Sequence, residues 1–149
     1  MYLLDTNHCS RLIDRDPGVL QRLRELGDAR VATCVIVRGE LRFMVERSER
    51  RRENAAKVEA LLRDLEVFPL DDAAADLYGQ MKARLLAAWG PRERRARRRA
   101  RLDALGVSDN DLWIAAIAKR HDFVVVSADD GFERMKDIVD LAVERWWSP

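Results

Sequence analysis

The chain has 149 residues, of which 48% are hydrophobic and 36% are charged, and its formal net charge is +1. These values indicate a soluble, globular chain with a sizeable core and exclude a disordered one. No apolar run approaches the roughly 18–20 residues needed to cross a bilayer, and Asp5 interrupts the N-terminus too early for a signal peptide. We therefore expect a cytoplasmic protein with no membrane segment, in which Cys9 and Cys34 are reduced and serve as small packing residues.

The net charge conceals an uneven distribution. Residues 90–101 hold seven arginines and one glutamate, a local charge of +6, which leaves −5 for the rest of the chain. A weaker basic patch consists of Arg47 and the arginines at 50–52. Such asymmetry predicts a polyanionic partner.

Apolar periodicity predicts the elements of the first half of the chain. In order, these are a buried strand at 2–4, one or two helical turns at 8–14, a helix from Pro17 that ends at Gly27, a strand at about 30–33, and a helix from 34 or 35 to about 47. Asp16 is expected to cap the second helix, and Thr33 the third.

The second half continues the alternation. It predicts a helix at 49–65, a strand at 67–70, a helix from 73 to about 89, a basic segment at 90–106 that is helical or mobile, a helix from 108 to 121, a strand at 123–126, a short helix at 132–135 and a strand at 141–145. Strands that alternate with helices favour a mostly parallel sheet of about five strands with helices on both faces. We expect a single α/β domain covering residues 1–149.

Four acids share a position relative to these elements. Asp5 and Asp129 each follow a strand, Glu40 lies about two turns into a helix that follows a strand, and Asp111 lies in the first turn of a helix. Ligands of open α/β sheets bind beyond the carboxyl ends of the strands, and a divalent cation would offset the repulsion between carboxylates gathered there. Each acid also has a simpler explanation, as a helix cap or, for Glu40, as an exposed partner of a basic residue.

Four sequence blocks then resemble those of PIN-domain proteins, and among these the VapC-type toxins of bacterial toxin–antitoxin pairs. The blocks are Leu4-Asp5-Thr6-Asn7, Val37-Arg38-Gly39-Glu40-Leu41, Asn110-Asp111-Leu112-Trp113-Ile114-Ala115-Ala116 and Val125-Val126-Ser127-Ala128-Asp129-Asp130-Gly131-Phe132. Their order and spacing cover nearly the whole chain. The segment at 90–106 is an expected insertion relative to compact members, and Asp122 stands where many members have glycine.

The resemblance implies a Mg²⁺- or Mn²⁺-dependent endoribonuclease that inhibits translation or growth. Asp5, Asp111 and Asp129 would hold the metal, Glu40 would position it or accept a proton from the attacking water, and Thr6, Asn7 and Ser127 would orient these ligands. The resemblance also implies a homodimer and a small antitoxin whose C-terminal segment fills the acidic crevice.

Several alternatives stay open. The chain could be a catalytically inert PIN-like module that binds RNA or a partner, or a phosphatase with Asp5 as nucleophile, although Asn7 stands where such enzymes usually carry a second aspartate. The arginines of the basic segment could contact RNA, an antitoxin or only solvent; they are Arg92, Arg94, Arg95, Arg97, Arg98, Arg99 and Arg101. His8 could reach the substrate or be a packed or surface histidine, and Trp113 is expected to be a core residue rather than a platform for stacking bases.

Overall fold

The computed structural model describes residues 1–147, so the last two residues of the expected 1–149 domain lie outside the described part. In chain order its elements are β1 (Tyr2–Leu4), α1 (Thr6–Ile13), α2 (Pro17–Glu25), β2 (Val31–Cys34), α3 (Val35–Glu46), α4 (Arg51–Asp64), β3 (Glu66–Phe68), α5 (Asp72–Trp89), α6 (Arg94–Arg97), a 3₁₀ turn (Asp103–Leu105), α7 (Asp109–Arg120), β4 (Val124–Val126), α8 (Asp130–Val139) and β5 (Val143–Glu144).

The five strands form one parallel sheet in the order β3-β2-β1-β4-β5. Strand β1 is central, and Tyr2 aligns with Val31 on one side and with Val124 on the other. Leu3 and Leu4 point to opposite faces of the sheet and are both fully buried. Both faces of the sheet are therefore covered, which confirms the predicted α/β class.

Helices α2 and α5 begin at aspartates whose side chains cap them, as expected for Asp16. Asp16 accepts hydrogen bonds from the backbone N–H groups of Gly18 and Val19, and Asp71 accepts one from Ala74. Thr33 does not cap α3, so that prediction was wrong. Strand β2 extends one residue further than expected, to Cys34, and the Thr33 hydroxyl instead donates to the Leu4 carbonyl oxygen at 3.1 Å.

Helix α8 is longer than predicted, because Asp129 caps it and Phe132, Met135 and Val139 extend one buried face. The basic segment contains only the short helix α6 and the 3₁₀ turn, which ends at Gly106 with a φ of +80°. Asp122, which stands where many PIN-domain proteins have glycine, has a φ of +55°, a left-handed conformation that aspartate tolerates better than most residues.

Both cysteines are free and buried, as predicted. Burial is the main reason that the pKa of Cys9 rises to about 12 and that the pKa of Cys34 is also raised. Both thiols are consequently protonated at neutral pH and act as small packing groups. Within residues 1–147, no helix combines the length and the hydrophobicity that a bilayer-spanning segment needs.

We predict that Phe132→Ala lowers the free energy of unfolding by about 3–5 kcal/mol, because the ring is fully buried and its removal leaves a cavity. Urea denaturation measures this change. Phe43→Ala is the matched control: its ring is 61% exposed, so we expect a change below about 0.5 kcal/mol. Equal losses in the two variants would contradict the packing described here.

Candidate active site

A cleft of about 310 Å³ opens at the carboxyl edge of the sheet and brings all four predicted acids together. Its lining residues are Asp5, Thr6, Asn7, Glu40, Phe43, Met44, Asp111, Ile114 and Asp129. None of these described lining residues is basic. The cleft therefore concentrates negative charge that no lining side chain neutralises.

Asp5 follows β1 and caps α1, and its carboxylate is almost fully buried, with 4% of the residue exposed. Its Oδ1 accepts hydrogen bonds from the backbone N–H of His8 at 2.7 Å and from the His8 ring Nδ1 at 2.9 Å. Its Oδ2 accepts from the Ser127 hydroxyl at 2.5 Å. Three donors thus fix the orientation of this carboxylate.

Glu40 reaches the cleft from α3 and is held by two neighbours. Thr6 donates its hydroxyl to Glu40 Oε2, and the Asn110 side-chain amide donates to Oε1 at 2.6 Å. Thr6 therefore orients Glu40, whereas the sequence predicted that it supports the metal ligands. The side chain of Asn7 lines the cleft and makes no hydrogen bond within residues 1–147.

Asp111 and Asp129 complete the acidic set. The Ser108 hydroxyl accepts a hydrogen bond from the Asp111 backbone N–H at 3.0 Å and donates one to Asp111 Oδ2 at 2.5 Å. Asp129 caps α8, because its Oδ1 accepts a hydrogen bond from the Gly131 N–H at 2.6 Å. Burial raises the pKa of Asp111, and the negative charges of Asp129 and Glu40 raise it further. This direction of shift shows that the cleft disfavours a further negative charge.

Ser127 connects two of the acids. Its hydroxyl donates to Asp5 and accepts from the Asp129 backbone N–H at 3.0 Å. It lies fully buried at the end of β4. The structure therefore places Ser127 between Asp5 and Asp129, and its role in orienting metal ligands, which the resemblance implies, stays a prediction.

The arginines of the basic segment lie outside the cleft. Arg97 donates to the Pro91 and Arg92 carbonyl oxygens, and Arg101 pairs with Asp103. The other five are exposed and make no side-chain hydrogen bond or ion pair within residues 1–147; they are Arg92, Arg94, Arg95, Arg98 and Arg99. Most of the positive charge in this segment is therefore directed to solvent.

Trp113 is not a core residue, so that expectation was wrong. Its half-buried ring stacks on Tyr78 with 3.6 Å between centroids and an interplanar angle of 6°. Tyr78 and Lys82 both donate to Asp109, at 2.6 and 2.8 Å. This cluster fastens the start of α7 to α5 and occupies one face of the indole.

The acids offer only oxygen donors, which is the chemistry that Mg²⁺ and Mn²⁺ prefer. Within residues 1–147, no three His, Cys, Asp or Glu side chains lie close enough together to hold a metal ion. Each carboxylate is turned toward its own hydrogen-bond donor, so a shared ion requires side chains such as Glu40 or Asp111 to rotate into the cleft. The donor set and its unneutralised charge fit a hard divalent cation.

Sequence reasoning missed two residues that contact the acids. His8 was expected to pack, to lie at the surface or to reach the substrate, but it bonds to Asp5. Asn110, which was recognised only as part of a sequence block, bonds to Glu40. The spacing Asp-x-x-His at a helix start was the available signal for His8, because a cap and the residue three positions later lie side by side. The Asn110–Glu40 contact joins two helices distant in sequence and leaves no local signal.

Residues 2–138 match the family model of the PIN domain. The chain belongs to the PIN-domain family. It is 26% identical to Ribonuclease VapC2 of Rickettsia felis over 98% of both chains, and 30% identical to Ribonuclease VapC5 of Mycobacterium tuberculosis over 82% of this chain and 84% of that one. The crystal structure of VapBC2 from Rickettsia felis, bound to a DNA fragment from its promoter, matches with a TM-score of 0.79 and 25% identity over 98% of both chains.

We predict that Asp111→Asn stabilises the fold in the presence of a chelator, by about 0.5–2 kcal/mol. The raised pKa means that the ionised carboxylate opposes folding above that pKa, and asparagine removes the charge. Thermal and urea denaturation at pH 7 measure the change.

Asp109→Asn is the matched control on the same helical turn. Hydrogen bonds from Lys82 and Tyr78 lower the pKa of Asp109, so its ionised form favours folding and its loss should destabilise the protein. Shifts of the same sign in both variants would contradict this account of the cleft.

Proposed function

We propose that this protein is a Mg²⁺- or Mn²⁺-dependent endoribonuclease that hydrolyses RNA phosphodiester bonds, and that it is the toxin of a VapBC-type pair. The observation that carries the proposal is the convergence of Asp5, Glu40, Asp111 and Asp129 on one cleft with no basic residue in its lining. Membership in the PIN-domain family and relatives named as VapC ribonucleases support the same activity.

In this proposal Asp5, Asp111 and Asp129 hold the cation. When bound, a divalent cation supplies activation of a water molecule and neutralisation of charge at the scissile phosphate. Asp5 is the most rigid of the three acids, since three donors restrain it. Ser127 keeps Asp5 and the start of α8 in register, which fixes the spacing between Asp5 and Asp129.

Glu40 is the acid best placed to move a proton. Its two oxygens contact Thr6 and Asn110, and neither partner is charged, so the carboxylate is oriented without being neutralised. We assign it the role of a base that takes the proton of the attacking water or positions that water. Asn7, whose amide is free of hydrogen bonds within residues 1–147, is available to contact the substrate phosphate.

The acidic cleft also indicates an antitoxin partner that carries positive charge. A small VapB-like antitoxin would inhibit the enzyme by placing a basic side chain in the acidic cleft, and solved structures of relatives contain VapBC complexes.

We also propose that the toxin forms a homodimer. Light scattering should then give about twice the chain mass of 17.2 kDa, and a mass of one chain would contradict it.

Asp5→Asn should reduce RNA cleavage by more than ~100-fold, because it removes a charged ligand but keeps the shape that caps α1. Purified protein is incubated with total RNA and Mn²⁺, and new 5′ ends are mapped. Asp137→Asn is the control, since Asp137 is exposed on α8 and does not line the cleft. Full activity in Asp5→Asn, or cleavage that persists in excess chelator, would overturn the proposal. Mn²⁺ binding with no cleavage of any RNA would indicate an inert binding module.

We further propose that the basic segment contacts the RNA backbone. Arg94, Arg95 and Arg98 line one surface depression, so replacing all three with glutamine removes three charges from one place. RNA binding is measured in the Asp5→Asn background, where cleavage does not interfere. Each contact to single-stranded RNA contributes roughly 0.7 to the slope of log Kd against log salt, so the loss of three contacts should reduce that slope by up to about 2.

The control for that experiment removes three charges elsewhere. Replacing the arginines at 50–52 with glutamine should leave the slope unchanged, because they lie at the start of α4, in the separate basic patch. A slope that does not respond to the triple substitution at 94, 95 and 98 would show that these arginines only face solvent.

A further inference from the structure

The imidazole of His8 is enclosed on α1 and has no exposed surface. Two indoles from the C-terminal segment pack against it, Trp146 edge-on and Trp147 tilted, each with 6.2 Å between ring centroids. Trp147 is itself covered by the Arg11 guanidinium, which lies 3.3 Å from the ring centroid. The ring of His8 is therefore held in a single place by aromatic neighbours.

The polar contacts of the ring are limited to one residue. Its Nδ1 lies 2.9 Å from Asp5 Oδ1, while its Nε2 is buried and has no hydrogen-bond partner within residues 1–147. An unpartnered buried polar atom destabilises the fold, because it loses its hydrogen bonds to water and gains none in the protein. An apolar side chain of similar size would avoid that cost, so the contribution of the imidazole at this position lies in its bond to Asp5.

The bond restricts which lone pairs of Asp5 remain free. An ionised carboxylate only accepts, so Nδ1 carries the hydrogen that joins the two side chains. With the His8 backbone N–H also on Oδ1 and Ser127 on Oδ2, three of about four acceptor positions of the carboxylate are occupied. The remaining position is on Oδ2.

We propose that His8 is a positioning residue for Asp5: its Nδ1–H, fixed by Trp146 and Trp147, holds Oδ1 so that Oδ2 is presented to the cation. The proposal rests on the proposed function of Asp5 as a metal ligand. It assigns the segment after β5 a part in the site, because the two indoles that fix the imidazole lie two and three residues beyond that strand.

The test measures Mn²⁺ binding by isothermal titration calorimetry in the unmodified chain and in three variants. His8→Leu keeps the bulk but removes the donor, and should weaken Mn²⁺ binding by about 10–100-fold. His8→Asn keeps an N–H donor bonded to Cγ, as Nδ1 is. Its Mn²⁺ affinity should therefore lie within about threefold of that of the unmodified chain, a smaller loss than the one expected for His8→Leu. His121→Leu alters the other histidine, at the far end of α7, and should leave binding unchanged.

Nuclear magnetic resonance of the imidazole nitrogens gives a readout that needs neither metal nor activity. In the His121→Leu variant only His8 contributes, and its Nδ1 should carry a proton that is protected from exchange with water. An unprotonated Nδ1 would overturn the proposal even if His8→Leu failed to fold.

The outcomes separate this proposal from the one on which it rests. If the unmodified chain binds Mn²⁺ and folded His8→Leu binds it equally well, the role of His8 is wrong and the proposed function stands. If His8→Asn is as weak as His8→Leu, the Nδ1 donor is not what matters, and the proposal again fails. If the unmodified chain binds no Mn²⁺, the metal-dependent function fails and the role of His8 fails with it.

Discussion

Strand β1 pairs in parallel with β2 on one side and with β4 on the other, so the carboxyl ends of three strands reach the same edge of the sheet. Asp5 follows β1 directly, and Asp129 comes three residues after the end of β4. Helix α3 leaves the end of β2 at that edge, and helix α7 begins beside the same cleft. Glu40 lies in the first half of α3 and Asp111 in the first turn of α7. The pairing of three strands is therefore the constraint that gathers the four acids.

Three of these acids also serve the fold, so capping and chemistry are not alternatives here. Asp5 and Asp129 cap α1 and α8, and Asp111 exchanges hydrogen bonds with the cap of its own helix, Ser108. A helix N-terminus favours negative charge through its free N–H groups and its dipole. Each acid thus has a local stabilising contact that partly offsets the repulsion within the cleft. Glu40 has no such helix terminus and depends on Thr6 and Asn110 instead.

The amino-acid sequence predicts this architecture well because its signals are local. Apolar runs such as the one at 124–126 and caps such as Asp16 act over a few residues, and the order of the elements then restricts the topology. Contacts between distant residues were not predictable in this way. Thr33 bonds to Leu4 across two strands, and Trp113 stacks on Tyr78 across two helices. These choices depend on the packed neighbourhood of each side chain, which periodicity does not encode.

The site was predictable to a similar depth. The four acids could be identified from their positions near strand and helix ends. The rotamers that turn each carboxylate toward its own hydrogen-bond donor could not be predicted from those positions. The extent of α6 could not be predicted either. Arginine and alanine both favour a helix, and they occur within residues 94–97 as well as after them.

The separation of charge along the chain has a consequence for the proposed activity. A cleft with four carboxylates and no lining base repels a phosphodiester, so the binding energy for RNA has to come from a cation in the cleft and from positive charge outside it. The basic segment ends at Gly106, two residues before Ser108, whose hydroxyl contacts Asp111. In the proposed function, attraction and catalysis are thereby assigned to stretches that adjoin in the chain, and the arginines lie outside the cleft. An arginine inside the cleft would neutralise the acids and weaken their hold on a cation, which is the role assigned here to an antitoxin.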